Sequence, residues 1–263
     1  MKNKSIKLNE FNNIAIIQTA FIGDVVLTFP LVQQIKNIHP NSKITFVTTP
    51  KSFDLALCVK SIDEVIPYDK RKSGKGYKGI RNIADILKKK EIDCIIAPHR
   101  SARTSLITYF AKPRLSIGYN VNAFKFFYKK LVIYYSHKNE INRNLSILNI
   151  FDLENNREIK LADVETNIPD SDKLSVEKLL KDRYIQDEDI RIAVAPGSVW
   201  KTKRWTDEGF SKLIKLFQER KFKPILVGSN SDIDICNKIE SETGSINLAG
   251  KTTLPQLLAL LQK

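Results

Sequence analysis

Asp24 is the carboxylate that this sequence places best for removing a proton from a bound hydroxyl. It stands in the stretch Gln18-Thr-Ala-Phe-Ile-Gly-Asp-Val-Val-Leu-Thr-Phe-Pro30, between an apolar run and a helical pattern. Gly23 permits an unusual turn close to a ligand, and Asp24 then stands at the entry to the helix. A positioned carboxylate can act as a general base, but aspartate is also a favoured helix N-cap, so the spacing alone leaves both roles open.

A second loop brings cations close to a glycine turn. Residues 195–205 read Ala-Pro-Gly-Ser-Val-Trp-Lys-Thr-Lys-Arg-Trp and place Lys203 and Arg204 shortly after Gly197 and Ser198. An ammonium group and backbone N–H groups can stabilise negative charge that develops on a bound substrate. A solvated lysine in a basic loop is the more frequent case, and the residues by themselves favour it.

Two arginines and a histidine follow a predicted buried strand in His99-Arg-Ser-Ala-Arg103. Arg100 and Arg103 could pair with carboxylates or phosphates because guanidinium forks fit both groups, and solvation at the surface suits them equally well. No serine or cysteine nucleophile motif accompanies His99. We therefore predict a structural or substrate-contacting histidine there.

The segment Gly228-Ser-Asn-Ser-Asp232 follows a predicted strand in the second half of the chain. A loop in this position can contact the nucleoside of a bound nucleotide, and Asp232 could accept a hydrogen bond from a ribose hydroxyl. The same carboxylate could equally cap the next helix, so its role stays open at this point.

Apolar β-branched runs alternate with amphipathic stretches along the chain, a pattern typical of a parallel sheet covered by helices on both faces. It predicts an α/β fold of two Rossmann-like, doubly wound domains that face a cleft, residues 1–165 and 166–263, joined by a polar connection at residues 154–189. With three strand-helix units, the second domain is expected to be incomplete. We predict strands at residues 14–18, 43–48, 64–67, 93–97, 191–195, 223–227 and 245–248, and helices at 25–37, 80–90, 102–110, 173–181, 207–220, 232–243 and 254–261.

The formal net charge of +14 is compatible with a polyanionic partner, but charge alone does not rank the candidates. A phosphorylated substrate and an anionic membrane surface both fit, whereas the sequence carries no nucleic-acid-binding motif, and we predict no nucleic-acid partner. Widely spaced cysteines and a polar N-terminus favour the cytoplasm.

Residues 124–135, FKFFYKKLVIYY, mix aromatics with lysines as membrane-surface segments do, but their apolar density favours burial in the first domain. Peripheral contact with the inner membrane stays open.

The pattern FxGDxxLTxP around Asp24 resembles the first loop of the lipopolysaccharide heptosyltransferases, glycosyltransferase family 9. Residues 195–205 resemble the Pro-Gly-small segment of that family followed by its Lys-Arg-Trp. His99-Arg-Ser-Ala-Arg103 and Ile117-Gly-Tyr119 resemble further landmarks. The resemblance implies a GT-B fold and an inverting transfer of a heptose from ADP-heptose to the inner core of lipopolysaccharide, on a lipid A-Kdo or heptosyl acceptor.

The resemblance also implies the roles of the site residues. Asp24 is then the general base, and Lys203 stabilises the departing diphosphate. No metal ion or cofactor is expected; the partners are a nucleotide sugar and an anionic glycolipid acceptor, in the cytoplasm or on the cytoplasmic face of the inner membrane. The predicted donor-binding residues are Gly197, Ser198, Arg204, Gly228 and Asp232, and the predicted acceptor-binding residues are Gly23, His99, Arg100 and Arg103.

The family carries one more donor-binding segment, Asp-(Ser/Thr)-Gly-Pro-like and ending in His, and this sequence ends before that point. Two alternatives therefore stand beside this prediction. One is a truncated, inactive member that acts as a binding component. The other is a transferase of the same fold that uses another sugar nucleotide.

Overall fold

The computed structural model describes residues 5–71, 74–153, 159 and 161–262. The chain divides into two compact units, Met1–Asn167 (unit 1) and Ile168–Lys263 (unit 2). The boundary predicted from the sequence, after residue 165, lies just before this division. The predicted polar connection begins with residues 154–158 and 160, which lie outside the described residues.

Unit 1 contains a parallel sheet with the strand order β3-β2-β1-β4-β5-β6. β1 and β4 are neighbours in its centre although β2 and β3 come between them in the chain, so the direction in which strands are added reverses there. The α/β class predicted from the β-branched runs is confirmed, and β5 and β6 extend the predicted sheet. The strands are β1 Asn13–Ile17, β2 Lys43–Thr48, β3 Glu64–Pro67, β4 Cys94–Ala97, β5 Leu115–Tyr119 and β6 Lys130–Val132.

Helices cover both faces of this sheet. On one face, Ile17 of β1 belongs to the same buried cluster as Leu87 and Ile107, which come from two different helices. On another part of the sheet, the helix that begins at Phe29 packs against β2, since the ring centroids of Phe29 and Phe46 lie 5.7 Å apart. The helices of unit 1 are α1 Ile22–Val26, α2 Phe29–Ile38, α3 Phe53–Leu57, α4 Gly76–Lys89, α5 Ala102–Ala111 and α6 Glu140–Leu145.

The helix predicted at residues 25–37 is confirmed from residue 29 onward as α2, but its start is wrong, because α1 ends at Val26 and a corner separates the two helices. Pro30 explains the break. Proline has no N–H to donate and clashes with the preceding turn inside a helix, but it fits the first turn, where Pro30 lies in α2. The Thr28 hydroxyl donates to the Asp24 carbonyl oxygen at 2.8 Å and closes the corner. The short α1 that results follows β1 directly and carries Asp24.

Unit 2 contains a parallel sheet in the order β7-β8-β9. Successive side chains of β8 point to opposite faces. Ile225 packs in one core with Leu180, whereas Leu226 packs in a second core with Ile214. The sheet is thus covered on both faces, as predicted. The elements are α7 Asp170–Lys181, β7 Arg191–Val194, α8 Asp207–Glu219, β8 Lys223–Leu226, α9 Ile233–Thr243, β9 Ile246–Asn247 and α10 Leu254–Gln262.

The burial predicted for residues 124–135 is wrong. Phe126 is 73% exposed and Ile133 is 57% exposed, while Tyr128 is buried. The reason is the position of β6 at the edge of the sheet, where it has a neighbouring strand on one side only. Among the described residues, no helix has the length and apolar character needed to cross a lipid bilayer.

Candidate active site

The loops after β1 and β4 meet at the point in unit 1 where the strand order reverses. Doubly wound folds bind ligands in the crevice that forms there, at the carboxyl ends of the strands. The loop after β1 runs through Thr19 into α1, and the loop after β4 runs through His99 into α5. A hydrogen bond of 3.0 Å between Thr19 Oγ1 and His99 Nδ1 joins the two loops. The segments that carry Asp24 and His99 are therefore connected directly.

Asp24 lies in the first turn of α1, where its carboxylate and its backbone have separate partners. Its Oδ2 accepts a hydrogen bond from the backbone N–H of Phe21 at 3.1 Å. The side chain is partly exposed, and no described residue donates a hydrogen bond to Oδ1. One oxygen thus caps the helix start while the other is open to a substrate hydroxyl. The two roles that the sequence left open are compatible.

A buried polar network holds the corner that carries Asp24. The side-chain amide of Gln18 donates to Thr28 Oγ1 at 3.1 Å, and Nδ2 of Asn144 donates to the carbonyl oxygen of Leu27 at 3.1 Å. Gln18, Thr28 and Asn144 are all at most 2% exposed. Leaving a buried polar group unpaired costs about 1–3 kcal/mol, so this network strongly favours a single arrangement of the corner.

The turn predicted at Gly23 is wrong. Gly23 is the second residue of α1, and it is not among the described glycines with a positive φ. A Cβ at this position would have no atom within 4 Å. Glycine in a helix costs about 0.5–1 kcal/mol relative to alanine, and neither backbone nor packing requires it here. Gly23 therefore leaves open space beside Asp24, in which a substrate could approach the backbone.

His99 stays neutral at pH 7. Burial, followed by the positive charges of Lys70 and Arg100, lowers its pKa to about 4. Its Nδ1 lies 3.0 Å from Thr19 Oγ1 and 3.5 Å from Thr104 Oγ1. A group of such low basicity is a poor proton acceptor near neutral pH. His99 is thus suited to hydrogen bonding between the two loops and to contact with a substrate.

Two cations, Lys70 and Arg100, lie near this histidine, and Arg103 lies near Lys70. Lys70 follows β3, and its pKa is lowered first by burial and then by the charge of Arg103. Arg103 is exposed in the first turn of α5, and the guanidinium of Arg100 lies 4.3 Å from the ring centroid of Tyr134. Among the described residues, none of the three cations forms an ion pair with a carboxylate. A bound anion would relieve the repulsion between these like charges.

Sequence reasoning missed Lys70, Thr19 and Asn144. The first two carried a usable signal, because each comes just after a predicted strand, and the carboxyl ends of parallel strands share one edge of the sheet. Asn144 carried none. It reaches the corner from α6, 116 residues away from Thr28 along the chain, and only the folded structure brings the two together.

In unit 2, the Asp232 side chain lies between two glycines. A Cβ on Gly197 would stand 2.1 Å from Asp232 Oδ1, and a Cβ on Gly228 would stand 2.9 Å from Asp232 Cβ. Asp232 Oδ2 accepts hydrogen bonds from the Ser229 N–H at 2.9 Å and the Ser229 hydroxyl at 2.7 Å. The side chain does not cap α9, which was one of its two open roles. The loops after β7 and β8 thus meet around one carboxylate.

Arg204 and Lys203 are held differently within the loop after β7. Nη2 of Arg204 donates to the Ser198 carbonyl oxygen at 3.0 Å and ties the basic turn back to the Gly-Ser segment. Lys203 is exposed, and its backbone N–H donates to the carbonyl oxygen of Trp200 at 2.9 Å. Its ammonium pairs with no carboxylate of the described residues. The backbone of this loop is thus tied by hydrogen bonds, whereas the Lys203 side chain has no fixed charge partner among the described residues.

Residues 80–263 match the sequence profile of glycosyltransferase family 9 (heptosyltransferase). The chain belongs to this family. It is 22% identical to the lipopolysaccharide core heptosyltransferase OpsX of Haemophilus influenzae, over 95% of this chain and 71% of that protein. The resemblance seen in the loop motifs is therefore confirmed, and the chain is a glycosyltransferase by family.

Solved structures show the fold of this glycosyltransferase. A family 9 glycosyltransferase from Veillonella parvula has a TM-score of 0.86 at 23% identity, over 97% of this chain and 73% of that one. E. coli ADP-heptose LPS heptosyltransferase II has a TM-score of 0.74 at 19% identity, over 95% of this chain and 76% of that one. The predicted GT-B type of α/β fold is confirmed.

Proposed function

We propose that this chain transfers a heptose, with inversion, from ADP-heptose to the inner core of lipopolysaccharide, on a lipid A-Kdo or heptosyl acceptor. Membership of glycosyltransferase family 9 supports the reaction class, and the names of the similar proteins above support the donor and acceptor. The observation that carries the proposal is the carboxylate of Asp24, which has one oxygen fixed to the backbone and the other open at the reversal of the strand order.

The proposed chemistry divides between the two units. Asp24 Oδ1 takes the proton of the acceptor hydroxyl as this oxygen attacks the anomeric carbon from the face opposite the diphosphate, which inverts that centre. Lys203 and the backbone N–H groups of Gly197 and Ser198 stabilise the charge on the departing ADP. We propose that this reaction uses neither a metal ion nor a cofactor.

The acceptor is proposed to bind to unit 1. An inner-core acceptor carries carboxylates and phosphates, and the cluster of Lys70, Arg100 and Arg103 offers charges of the opposite sign without carboxylate partners among the described residues. Neutral His99 contacts a sugar hydroxyl, and the open side of Gly23 admits the acceptor close to the base.

The donor is proposed to bind to unit 2. The loops after β7 and β8 lie at the carboxyl ends of adjacent strands, where nucleotides bind in such folds. Arg204 holds the turn of Gly197 and Ser198, and we propose that the N–H groups of this turn bind the diphosphate. Gly228 lets this backbone approach the nucleoside, and Asp232 Oδ1 accepts from a ribose hydroxyl. Because the acceptor is a membrane glycolipid, we place the enzyme in the cytoplasm, in contact with the cytoplasmic face of the inner membrane.

The substitution Asp24→Asn tests the proposal. The amide oxygen of asparagine can still accept the Phe21 N–H, so we expect the fold to survive, while loss of the base lowers kcat by about 100- to 10,000-fold. Asp54→Asn is the matched control, because Asp54 is an exposed first-turn aspartate in another short helix of unit 1. An Asp24→Asn enzyme with near-normal turnover contradicts the role of Asp24.

Thermal shift with ADP-heptose and other sugar nucleotides, alongside turnover on an inner-core lipid A acceptor, separates the alternatives. Stabilisation and turnover with ADP-heptose support the proposal. Turnover with another sugar nucleotide alone indicates a transferase of the same fold with a different donor. A folded chain that neither binds nor turns over any donor is a binding component, and the proposed reaction is then wrong.

A further inference from the structure

Unit 1 carries an exposed strip of aromatic side chains that the proposed chemistry does not use. Its rings form an unbroken series of contacts: Phe110 lies 5.2 Å from Tyr109, Tyr109 stacks on Phe127 at 4.3 Å, and Phe127 lies 4.7 Å from Phe126. We call this series the aromatic ridge; its members are Tyr77, Tyr109, Phe110, Phe124, Phe126 and Phe127.

The ridge is exposed along most of its length. Tyr77 is 62% exposed, Tyr109 46%, Phe124 44% and Phe126 73%. Single exposed apolar residues are ordinary on protein surfaces, but a contiguous patch of large rings marks a surface that another phase or molecule covers. Leu131 and Ile133, in and just after the edge strand β6, are also exposed and add aliphatic surface nearby in the sequence.

The stretch of sequence that supplies five of the six ridge rings carries charge of one sign. No aspartate or glutamate occurs from Cys94 to Asn139. Lys125 and Lys130 are exposed in or beside the ridge segment, and the guanidinium of Arg81 lies 4.6 Å from the ring centroid of Phe110. The basic residues of this acid-free stretch are Arg100, Arg103, Lys112, Arg114, Lys125, Lys129, Lys130 and Lys138.

The backbone at Phe124 indicates that its ring is not there for the fold. Phe124 adopts the left-handed conformation, with φ 52° and ψ 44°, which disfavours bulky side chains and favours glycine or asparagine. A phenylalanine in this conformation that is also 44% exposed contributes little to the core. Its place is explained if the ring contacts something outside the chain.

We propose that the aromatic ridge and its lysines bind the surface of an anionic lipid bilayer. Aromatic rings that enter the interface, with lysines that reach the headgroups, match such a surface in both polarity and charge. A second copy of the chain fits less well, because a two-fold contact would bring two identical basic surfaces together. A protein partner also fits less well, since lysine is depleted at protein–protein interfaces.

The ridge is connected to the loop in which we place the acceptor. The Ala123 N–H, one residue before Phe124, donates to the carbonyl oxygen of Arg100 at 3.5 Å, and the Ser105 hydroxyl of α5 donates to the Ala123 carbonyl oxygen. A ridge seated on a bilayer thus holds the loop of His99 and Arg100 close to that membrane. This consequence rests on the proposed function, whereas lipid binding itself rests on the ridge alone.

Flotation of the purified chain on vesicles tests lipid binding without donor or acceptor. We expect the chain to float with vesicles of phosphatidylethanolamine containing about one quarter phosphatidylglycerol, and to float less with pure phosphatidylcholine. The double variant Phe124→Asn/Phe126→Ser is expected to lower the bound fraction at least about tenfold, because it removes two interfacial rings. Asparagine also suits the left-handed backbone of residue 124, so the fold should be retained.

Two further variants separate charge from aromatic contact. Lys125→Ala/Lys130→Ala is expected to weaken binding about fivefold per lysine at low salt and by less at high salt. Tyr184→Ser removes an aromatic residue of unit 2 that is 87% exposed, and this control should float like the wild type. Absence of wild-type flotation on anionic vesicles at low salt overturns the proposal, as does a ridge variant that floats normally.

Sedimentation and a soluble acceptor complete the test. If the wild type is an oligomer, the ridge variant is a monomer and neither floats, the ridge is a contact between copies and the proposal is wrong. On a delipidated inner-core acceptor, the ridge variant should keep the wild-type rate while losing rate on acceptor embedded in vesicles. Flotation without turnover of either acceptor leaves lipid binding standing and counts against the proposed transferase instead.

Discussion

The loop after β1 and the loop after β7 are held in place by different kinds of contact. Around Asp24, hydrogen bonds between buried side chains hold the loop, because Gln18 and Asn144 both donate to the hydroxyl oxygen of Thr28. In unit 2, the backbone of the loop after β7 lies directly against the Asp232 side chain of the loop after β8, because Gly197 has no Cβ and leaves room for that carboxylate. The first arrangement fixes a side chain, whereas the second fixes a stretch of backbone.

This difference bears on when each group becomes ordered. The Asp24 carboxylate has a backbone hydrogen bond before any substrate arrives, so the proposed base is positioned in advance. The exposed Lys203 side chain has no carboxylate partner among the described residues, so a bound diphosphate would be its first strong partner. We therefore expect that some substitutions in these loops change turnover without changing stability, and that others change stability.

After Asp24→Asn, the largest expected effect is that of Lys203→Ala, and it is an effect on turnover alone. Loss of one group that stabilises transition-state charge lowers kcat by about 100- to 1000-fold, while an exposed substitution changes the free energy of unfolding by no more than about 0.5 kcal/mol. Steady-state kinetics and denaturant unfolding measure the two. Lys215→Ala, an exposed lysine of α8 in the same unit, is the matched control and should keep wild-type kcat. Equal kcat for both variants removes Lys203 from the mechanism.

The next effect is a pH dependence of stability that belongs to unit 1. The pKa of His99 is about 4 in the folded chain and near 6.5 in the unfolded chain, so between these values only the unfolded chain binds the proton. Stability therefore falls as pH drops from about 6.5 to 4, by up to about 3 kcal/mol, and this histidine adds no slope above pH 7. Denaturant unfolding followed by far-ultraviolet circular dichroism at several pH values measures it.

His99→Gln should remove this slope, whereas His137→Gln, at an exposed histidine, should leave it in place. The protein supplies an internal reference as well. Both tryptophans, Trp200 and Trp205, lie in unit 2, so their fluorescence reports the unfolding of that unit. A slope that survives His99→Gln would show that another group of unit 1 is responsible.

The sequence predicts the elements that follow local patterns. The strand at residues 43–48 and the start of the helix at 102 are reproduced without a shift, because β-branched runs and a Ser101 cap are encoded by neighbouring residues. The corner between α1 and α2 was missed although its signal, Pro30, was present in the sequence. The burial of residues 124–135 was predicted wrongly because an apolar run does not reveal that its strand lies at an edge.

The site residues divide in the same way. Asp24 and His99 could be chosen from motifs and their position after strands. Their environment could not be predicted, because it depends on residues distant in sequence. The pKa of His99 reflects Lys70, which lies after β3, and the Asp24 corner rests on Asn144 of α6. The roles assigned to both residues in catalysis stay predictions until they are measured.

Gly197→Ala sharpens the comparison from the side of unit 2. The added Cβ would stand 2.1 Å from Asp232 Oδ1, so the carboxylate must move and weaken its hydrogen bonds to Ser229. Overpacking of this kind costs about 1–3 kcal/mol, and we expect tryptophan fluorescence to show the loss together with weaker ADP binding. In Gly197→Ala/Asp232→Ala the clash is absent, so the two substitutions should be less than additive in stability. If the losses of stability from the two substitutions add strictly, the close contact between residue 197 and the Asp232 carboxylate is contradicted.

The smallest expected effect is that of the same substitution in the other loop, Gly23→Ala. A Cβ here meets no atom within 4 Å, and alanine is favoured over glycine in a helix by about 0.5–1 kcal/mol, so stability should rise slightly or stay the same. If the acceptor lies against this glycine, the methyl group lowers kcat/KM for the acceptor by about tenfold while leaving ADP affinity unchanged. A fully active Gly23→Ala enzyme would mean that the acceptor approaches Asp24 from another side, whereas a destabilised one would mean that α1 is packed more tightly than its exposed surface indicates.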